Sequence, residues 1–373
     1  MNATTDAHTV PKYLSKVAFA RMFEILAQHG YTVIGPTVDQ DAIVYGQVTS
    51  VEDLPKGWTD EQSPGKYRLK QRADDALFGY VVGPHSWKQF LFPPDVKVAE
   101  ADKTDSGWQF RAAEDEPPKL AFLGVRACEL AAMRVQDRVF LSGPYVDPVY
   151  QPRRTNALII AVNCTQAAST CFCTSMGTGP HCVSGFDIAM TELDDGFVVQ
   201  AVTGEGTEIV DTLDTSAATI EHLQAAQVAR QQAVDQISRR LDTTDIRDLL
   251  LSNLDHARWD DVATRCLSCT NCTMVCPTCF CSSVEEVSDL AGEHVERNRK
   301  WDSCFNFDFS YMNGGHVRDN IRSRYRQWLT HKLASWIDQF GTSGCVGCGR
   351  CITWCPVGID LTEEVAAIRG DAS

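Results

Sequence analysis

The sequence predicts an α+β protein, with an N-terminal α/β domain that has a short, mainly parallel sheet and a C-terminal, mostly helical ferredoxin-like domain. Two observations support this class. Buried strand patterns alternate with a helix pattern between residues 119 and 162, which is typical of a parallel α/β unit. Two cysteine motifs with ferredoxin spacing follow in the last third of the chain. We place the domain boundary between residues 245 and 246, so that the domains span 1–245 and 246–373.

Composition narrows the class of protein further. The 373 residues include 16 cysteines and carry a net charge of −15, with 44% hydrophobic and 22% charged residues. This is the composition of a folded chain, and its acidity argues against nucleic-acid binding, which needs a basic surface. No apolar run approaches the roughly 18 residues of a membrane span, and the N-terminus lacks a signal-peptide core. We therefore expect a cytoplasmic chain whose cysteines bind metal rather than form disulfides.

The first elements are predicted from apolar periodicity and turn residues. Residues 12–29 have the spacing of an amphipathic helix that ends at Gly30. Short strand-like runs, separated by Gly and Pro turns, follow at residues 31–34, 42–45 and 77–82. Residues 95–117 are polar and acidic and end at Pro117-Pro118, which indicates a surface loop.

The α/β unit begins after this loop. Residues 119–125 and 156–162 are apolar enough for buried strands, and residues 129–141 between them have a helical pattern. The sequence Asp194-Asp195-Gly196 predicts a hairpin turn between strands at 186–193 and 197–202. Two further helices are predicted at residues 216–240 and 245–257.

The two cysteine motifs share the spacing C-x2-C-x2-C-x3-C followed by proline. Their members are Cys266, Cys269, Cys272 and Cys276 in the first motif and Cys345, Cys348, Cys351 and Cys355 in the second. In this bacterial ferredoxin signature three thiolates hold one cubane and the fourth binds the other cubane. We therefore predict two 4Fe-4S clusters, one held by Cys266, Cys269, Cys272 and Cys355, the other by Cys345, Cys348, Cys351 and Cys276. A pair of zinc sites is the alternative, but zinc motifs rarely place three cysteines at this spacing.

A long insert, residues 277–344, separates the motifs, and we predict that it is helical. It contains Cys279, Cys281 and Cys304, which would need an outside ligand to hold a cluster and are otherwise structural. It also contains basic residues at helical spacing, which are Arg318, Arg322, Arg324, Arg326, His331 and Lys332. They form either a docking face for an acidic partner or a solvated helix that partly compensates the cluster charge.

A third cysteine group is predicted in the α/β domain. Cys128 follows the first buried strand, Cys164 follows the second, and Cys171 and Cys173 lie in the next loop. If the two strands are parallel neighbours, these thiols meet at the carboxyl edge of the sheet, where ligands bind in such folds. They bind a third iron–sulfur cluster or are buried free thiols. Cys182 is a spare or a fifth member of the group.

Further motifs occur in order along the chain. They are Ser63-Pro-Gly-Lys-Tyr-Arg-Leu69, Gly83-Pro-His-Ser-Trp-Lys88, Phe92-Pro-Pro94, Gly124-Val-Arg-Ala-Cys-Glu-Leu130, Cys171-Phe-Cys173, Gly177-Thr-Gly-Pro180, Cys276-Pro-Thr-Cys-Phe-Cys281, Trp301-Asp-Ser-Cys304 and Cys345-Val-Gly-Cys-Gly-Arg-Cys351. In these motifs nearly the whole chain resembles the beta subunit of the cytoplasmic NAD(P)-linked nickel–iron hydrogenases, the sulfhydrogenases. The electron-transfer subunit of anaerobic sulfite reductase is similar. Many such proteins have Pro-Cys-Asp where this chain has Ala127-Cys128-Glu129, which keeps the cysteine and a carboxylate.

The resemblance implies an iron–sulfur electron-transfer subunit that is not catalytic alone. It would relay electrons between an NAD(P)H-linked flavoprotein subunit on one side and the small and large subunits of a nickel–iron hydrogenase core on the other, where the nickel site would lie. Two alternatives remain. One is the electron-transfer subunit of an anaerobic sulfite reductase. The other is a self-contained flavin-dependent reductase, although the sequence contains no Gly-x-Gly-x-x-Gly motif after a strand and no P-loop.

Overall fold

The structure, a computed structural model, describes residues 10–113 and 116–370. Its strands are β1 (Lys12–Ser15), β2 (Thr32–Asp39), β3 (Ala42–Gln47), β4 (Trp58–Ser63), β5 (Lys66–Gln71), β6 (Asp95–Thr104), β7 (Gly107–Ala112), β8 (Leu120–Val125), β9 (Leu158–Val162), β10 (Ile188–Glu192), β11 (Gly196–Ala201), β12 (Thr215–Ala217), β13 (Ser282–Ser288), β14 (His294–Trp301), β15 (Tyr311–Met312) and β16 (Gly315–His316).

Short and medium-length helices connect these strands. The α-helices are α1 (Lys16–Phe19), α2 (Met22–Gln28), α3 (Lys88–Leu91), α4 (Ala127–Phe140), α5 (Tyr150–Thr155), α6 (Gly204–Thr212), α7 (Ile220–Gln236), α8 (Ile246–Ser252), α9 (Arg258–Arg265), α10 (Asn271–Met274), α11 (Ile321–Thr330), α12 (Trp336–Phe340), α13 (Arg350–Thr353) and α14 (Leu361–Arg369). Turns of 3-10 helix lie at Val51–Asp53 and Asp308–Ser310, and a π-helical turn lies at His331–Ser335. Within residues 10–113 and 116–370, no helix is long and apolar enough to cross a membrane.

The largest sheet has eight strands in the order β12-β1-β11-β10-β9-β8-β2-β3. Its four central strands, β10, β9, β8 and β2, are parallel neighbours. Strands β8 and β9 are buried at every residue, as expected for strands covered on both faces. The sheet is larger and more mixed than the sequence predicts, because antiparallel strands extend it at both edges.

Alternate side chains of the central strands pack into two different cores. On β9, Leu158, Ile160 and Val162 face a core that α1 and α2 complete. Ile159 and Ala161 face the opposite core, which includes residues of α4. The two-residue period of a strand therefore builds the layered α/β architecture. The helix predicted over residues 12–29 is shorter, because residues 12–15 pair with β11 and form β1.

Residues 77–82, predicted as a strand, are buried but belong to no sheet. Carboxylates satisfy their backbone amides instead. Glu192 accepts hydrogen bonds from the first two amides of the segment at 2.7 and 2.8 Å, and Asp60 accepts one from Val81 N at 2.7 Å. A buried segment must pair its amides with some acceptor, and side chains here replace a neighbouring strand.

A four-stranded antiparallel sheet, in the order β13-β14-β6-β7, joins distant parts of the chain. The prediction of a surface loop at residues 95–117 is wrong, because this segment forms the hairpin of β6 and β7. The insert predicted to be helical begins with a second hairpin, β13 and β14, and reaches its helices only at α11. Much of both hairpins is exposed to solvent, since β7 is exposed throughout and β13 is mostly exposed.

A further core lies beside the two cysteine motifs. It is formed by side chains of α8, α9, α11 and α14, among them Trp259, Leu329 and Val365. Thiols of both motifs, including Cys272 and Cys355, pack against this core. The boundary between residues 245 and 246 stays a prediction.

Candidate metal centres

The two ferredoxin-type loops adopt the same backbone conformation. In the first loop Ser268 and Thr270 have φ angles of 50° and 69°. At the equivalent positions of the second loop Gly347 and Gly349 have φ angles of 65° and 77°. These left-handed residues turn the chain so that a short helix, α10 or α13, carries the third cysteine of each motif. Two loops of this shape can each present three thiols to one centre.

Backbone amides point at the first thiol of each loop. Ser268 N lies 3.4 Å from Cys266 Sγ, and Gly347 N lies 3.5 Å from Cys345 Sγ. A hydrogen bond of this kind stabilises a thiolate over a thiol, and in iron–sulfur proteins it adjusts the reduction potential. The two loops therefore agree in their hydrogen bonds as well as in their backbone.

The eight thiols of the two motifs line two neighbouring cavities. The first cavity is bordered by Cys266, Cys269, Cys272 and Cys355, and the second by Cys276, Cys345, Cys348 and Cys351. Each cavity is thus bordered by three cysteines of one motif and at least one of the other, and the ligand exchange between the motifs stays a prediction. Four thiols are the donor set that 4Fe-4S clusters use, so these residues fit the group. Cys351 also borders the first cavity, which places the two cavities side by side.

A third cavity is bordered by the group predicted in the α/β domain, Cys128, Cys164, Cys171 and Cys173. Cys128 lies at the start of α4, after β8, and Cys164 follows β9. Because β8 and β9 are parallel neighbours, their carboxyl ends meet at one edge of the sheet. Cys182 lies outside this cavity and borders an adjacent groove. The structure therefore brings the four predicted thiols together without the fifth.

The third cavity adjoins the second, because Cys348 of the second set borders both. The loop that carries the third group also packs on the second ferredoxin loop. Phe172 N donates to the Gly347 carbonyl at 2.9 Å. A Cβ at Gly347 would lie 2.7 Å from the Cys173 backbone, and one at Gly349 would lie 2.4 Å from Thr170 O. This close approach explains why the second loop has glycines where the first has Ser268 and Thr270.

Lys332 is a buried cation beside the second cavity. Its ammonium lies 3.1 Å from Cys276 Sγ and 3.4 Å from the Gly344 carbonyl. A hydrogen bond from the Cys279 thiol, together with the Lys332 charge, holds the pKa of the Cys276 thiol well below its usual value. Among the basic residues of the insert, Lys332 thus compensates thiolate charge. Arg322, by contrast, pairs with acidic side chains of the chain itself.

Arg126 is a buried cation beside the third cavity, as Lys332 is beside the second. It borders this cavity and is buried, and its positive charge opposes the burial that raises the pKa of the Cys164 thiol. No carboxylate in the described part of the chain lies within ion-pair distance of it. Burial raises the pKa of the Cys171 thiol to about 12. That thiol is therefore protonated at neutral pH in the absence of metal and must release a proton when a metal binds.

Sequence reasoning did not assign Arg126 to a site, and it considered cluster-charge compensation for Lys332 only as one of six basic residues of the insert. A cation next to a cysteine motif gives no sign of whether its side chain is buried or solvated. The one signal was position, because Arg126 lies two residues before Cys128. The five residues His331–Ser335 form a π-helical turn, a feature frequent at functional sites, and it carries Lys332.

Comparison with known proteins agrees with this geometry. Residues 265–359 match the family described as the 4Fe-4S dicluster domain. The whole chain is similar to sulfhydrogenase 2 subunit beta of Pyrococcus furiosus, with 30% identity over 356 residues, which cover 94% of this chain and 96% of the relative. No solved structure matches the chain significantly. The chain therefore belongs to the family of the sulfhydrogenase beta subunits and carries a 4Fe-4S dicluster domain.

Proposed function

We propose that this chain is the iron–sulfur electron-transfer subunit of a cytoplasmic complex, in which it relays electrons between an NAD(P)H-linked flavoprotein and a nickel–iron hydrogenase core. The observation that carries the proposal is the row of three thiol-lined cavities. Clusters bound there would accept and donate single electrons. The chain itself supplies the ligands, their spacing and the buried cations. Its relative is by name a subunit of a sulfhydrogenase, which supports a role within a larger assembly.

Shared cysteines make the row continuous. Cys351 borders the first and second cavities, and Cys348 borders the second and third. A ligand of the second centre would thus touch the space of each neighbouring centre. Short gaps of this kind favour electron transfer between centres. We propose that all three thiol sets bind 4Fe-4S clusters, with the second one in the middle of the relay.

Both ends of the row approach the surface. At the first cavity Cys269 is exposed, and the adjacent Leu267 is 61% exposed. At the other end Gly179 lines a surface groove of about 290 Å³, and a Cβ at this position would lie 3.3 Å from Cys173 Sγ. One partner would dock at each end, because electrons can enter or leave only where a centre is near the surface.

Removal of the third centre tests the relay. In the full complex, Cys171→Ser should lower the iron content by about four atoms per chain, at four per cubane. It should abolish hydrogen turnover driven by NAD(P)H while the partner core still oxidises H2 with an artificial viologen dye. Cys182→Ser is the matched control for iron content and should not lower it. Unchanged NAD(P)H-driven turnover in Cys171→Ser would contradict a relay through this centre.

The two alternatives make different predictions for the purified chain. We expect the anaerobically isolated chain to oxidise neither H2 nor NAD(P)H at an appreciable rate and to capture a flavoprotein and hydrogenase subunits. A stoichiometric flavin with robust NAD(P)H oxidation would favour the self-contained reductase. Capture of sulfite-reductase subunits instead of hydrogenase subunits would favour the anaerobic sulfite reductase.

A further inference from the structure

Three cysteines lie outside the three cavities, at the base of the hairpin formed by β13 and β14. Cys281 directly precedes β13, and Cys304 follows β14. The pairing of Ser282 with Trp301 brings these ends together, and the amide of Asp302 donates to the Cys281 carbonyl at 2.8 Å. The two thiols also influence each other, since the Cys304 thiol lowers the pKa of the Cys281 thiol. The pairing of β13 with β14 therefore brings together Cys281 and Cys304, which are 23 positions apart in the sequence.

The remaining thiol of this group reaches the second cavity. Cys279 lies three residues after Cys276, and its thiol lowers the pKa of the Cys276 thiol. All three members of the group are partly buried. The group, defined as Cys279, Cys281 and Cys304, thus adjoins the middle of the row without belonging to any of its three thiol sets.

A buried lysine lies against this group. Lys88 is only 4% exposed. Its ammonium donates to the Cys279 carbonyl at 3.1 Å and lies 3.8 Å from the centre of the Trp301 ring. Across residues 10–113 and 116–370, no carboxylate comes within ion-pair distance of Lys88. Burial lowers the pKa of the Lys88 amine, and the neighbouring thiols, Cys279 first, oppose this by favouring its charged form.

Buried charges in proteins are paired or coordinate metals, because an uncompensated charge is costly to desolvate. Lys332 is paired in this way with the thiol of Cys276, and Arg126 donates to three backbone carbonyls. Lys88 donates to one carbonyl, that of Cys279, and has no countercharge among the described residues. Thiolates held by a metal would supply the missing negative charge.

We propose that Cys279, Cys281 and Cys304 bind a fourth iron–sulfur cluster, with Lys88 as its buried countercharge. Three cysteines leave one iron for a ligand that is not a cysteine. Iron–sulfur is favoured over zinc, because zinc motifs place two to four residues between paired cysteines, whereas one residue separates Cys279 from Cys281. The contact with Cys276 makes this site a branch from the second cluster rather than a further step in the row.

The proposal is tested by counting clusters on the full chain. The chain is reconstituted anaerobically with ferrous iron and sulfide, its mass is measured by native mass spectrometry, and iron, sulfide and zinc are quantified. Cys304→Ser should hold one cluster fewer than wild type and about four fewer irons, and Cys182→Ser is the control with no loss. An equal cluster count in Cys304→Ser and wild type would overturn the proposal. Loss of one zinc instead of iron would also overturn it.

A second variant tests for the fourth cluster independently of the third one. It also keeps the proposal testable if Cys304→Ser does not fold. Cys171→Ser removes only a ligand of the third set. If the fourth cluster exists, Cys171→Ser still holds three clusters, whether or not wild type had a cluster in the third cavity. If Cys171→Ser holds two clusters, no fourth cluster exists and the proposal fails.

Discussion

Arg350 Nη2 lies 2.5 Å from Glu129 Oε1, and both side chains are fully buried. Arg350 is placed between Cys348 and Cys351 of the second motif, and Glu129 directly follows Cys128 of the third group. This ion pair therefore joins two candidate centres that come from opposite halves of the chain. It fixes the third cavity against the second, since each partner is adjacent in sequence to a thiol of its own cavity.

We predict that Glu129→Gln destabilises the protein strongly. Three further donors bind the Glu129 carboxylate, which are Tyr45 Oη, Trp87 Nε1 and Arg126 N. Neutralising the carboxylate leaves the buried Arg350 charge uncompensated, a loss that typically costs about 3–5 kcal/mol. The apparent Tm of the anaerobic protein should fall by many degrees. A cluster count on the same sample should show whether the third centre is lost first.

A surface ion pair provides the control for this change. Arg247 Nε lies 2.6 Å from Asp338 Oδ1, but the two side chains are 42% and 46% exposed. Asp338→Asn should change stability by less than about 1 kcal/mol. The double variant of Glu129→Gln with Arg350→Met should recover part of the lost stability, because no buried charge is then unpaired. Equal, small effects of Glu129→Gln and Asp338→Asn would contradict the structural role of the pair.

The two ferredoxin loops should respond differently to changes at their matched left-handed positions. Gly349→Ala places a Cβ 2.4 Å from Thr170 O, so the loop of the third group must move away. We expect a lower Tm and loss of iron from the second and third cavities. Thr270→Gly relieves the left-handed strain of a non-glycine residue but adds unfolded-state entropy, so stability should stay within about 1 kcal/mol of wild type. Similar iron loss in both variants would contradict this asymmetry.

The meeting of thiols from both motifs at each of the first two cavities could be predicted from spacing alone. The third cavity could be predicted because Cys128 and Cys164 each follow an apolar strand, and neighbouring parallel strands end at one edge. The pairing of β6 with β14 could not be predicted, since it joins segments about 200 residues apart whose strands are polar. The segment 77–82 was misassigned for another reason: its apolar pattern matches a strand, but the acceptors for its amides are distant carboxylates.

Lys332 is predicted to raise the reduction potential of the second cluster. Its ammonium lies 3.1 Å from Cys276 Sγ, and reduction adds a negative charge that a nearby buried cation stabilises. Lys332→Met should therefore lower this potential by on the order of 100 mV, as Coulomb's law gives for a unit charge about 6 Å away at an effective dielectric constant of about 20. Lys56→Met, at a solvent-exposed site paired with Asp75, is the control. A redox titration followed by EPR that showed equal potentials in Lys332→Met and wild type would contradict this role.

Asp60 gives the last prediction, a pH dependence of stability. Its carboxylate accepts hydrogen bonds from Val81 N and Gln62 Nε2 at 2.7 and 2.8 Å, but burial outweighs them and raises its pKa to about 6. An aspartate in an unfolded chain has a pKa of about 3.9. Between these two values the folded chain binds a proton that the unfolded chain has released. Stability therefore decreases as the pH rises through this interval, and the loss persists above it.

Asp60→Asn removes this titration and keeps the shape of the side chain. The Tm of the variant minus that of wild type should increase as the pH is raised from about 5 to about 7.5, and then level off. The change over this range corresponds to about 1–1.5 kcal/mol, at 1.36 kcal/mol for each pKa unit, because the part of the titration below pH 5 is not sampled. Glu61→Gln, at the exposed neighbouring position, is the matched control for removing a carboxylate from this strand. The prediction concerns how the Tm difference changes with pH, so a constant difference caused by altered hydrogen bonds with Gln62 does not affect it. Parallel curves of Tm against pH for Asp60→Asn and wild type would contradict the prediction.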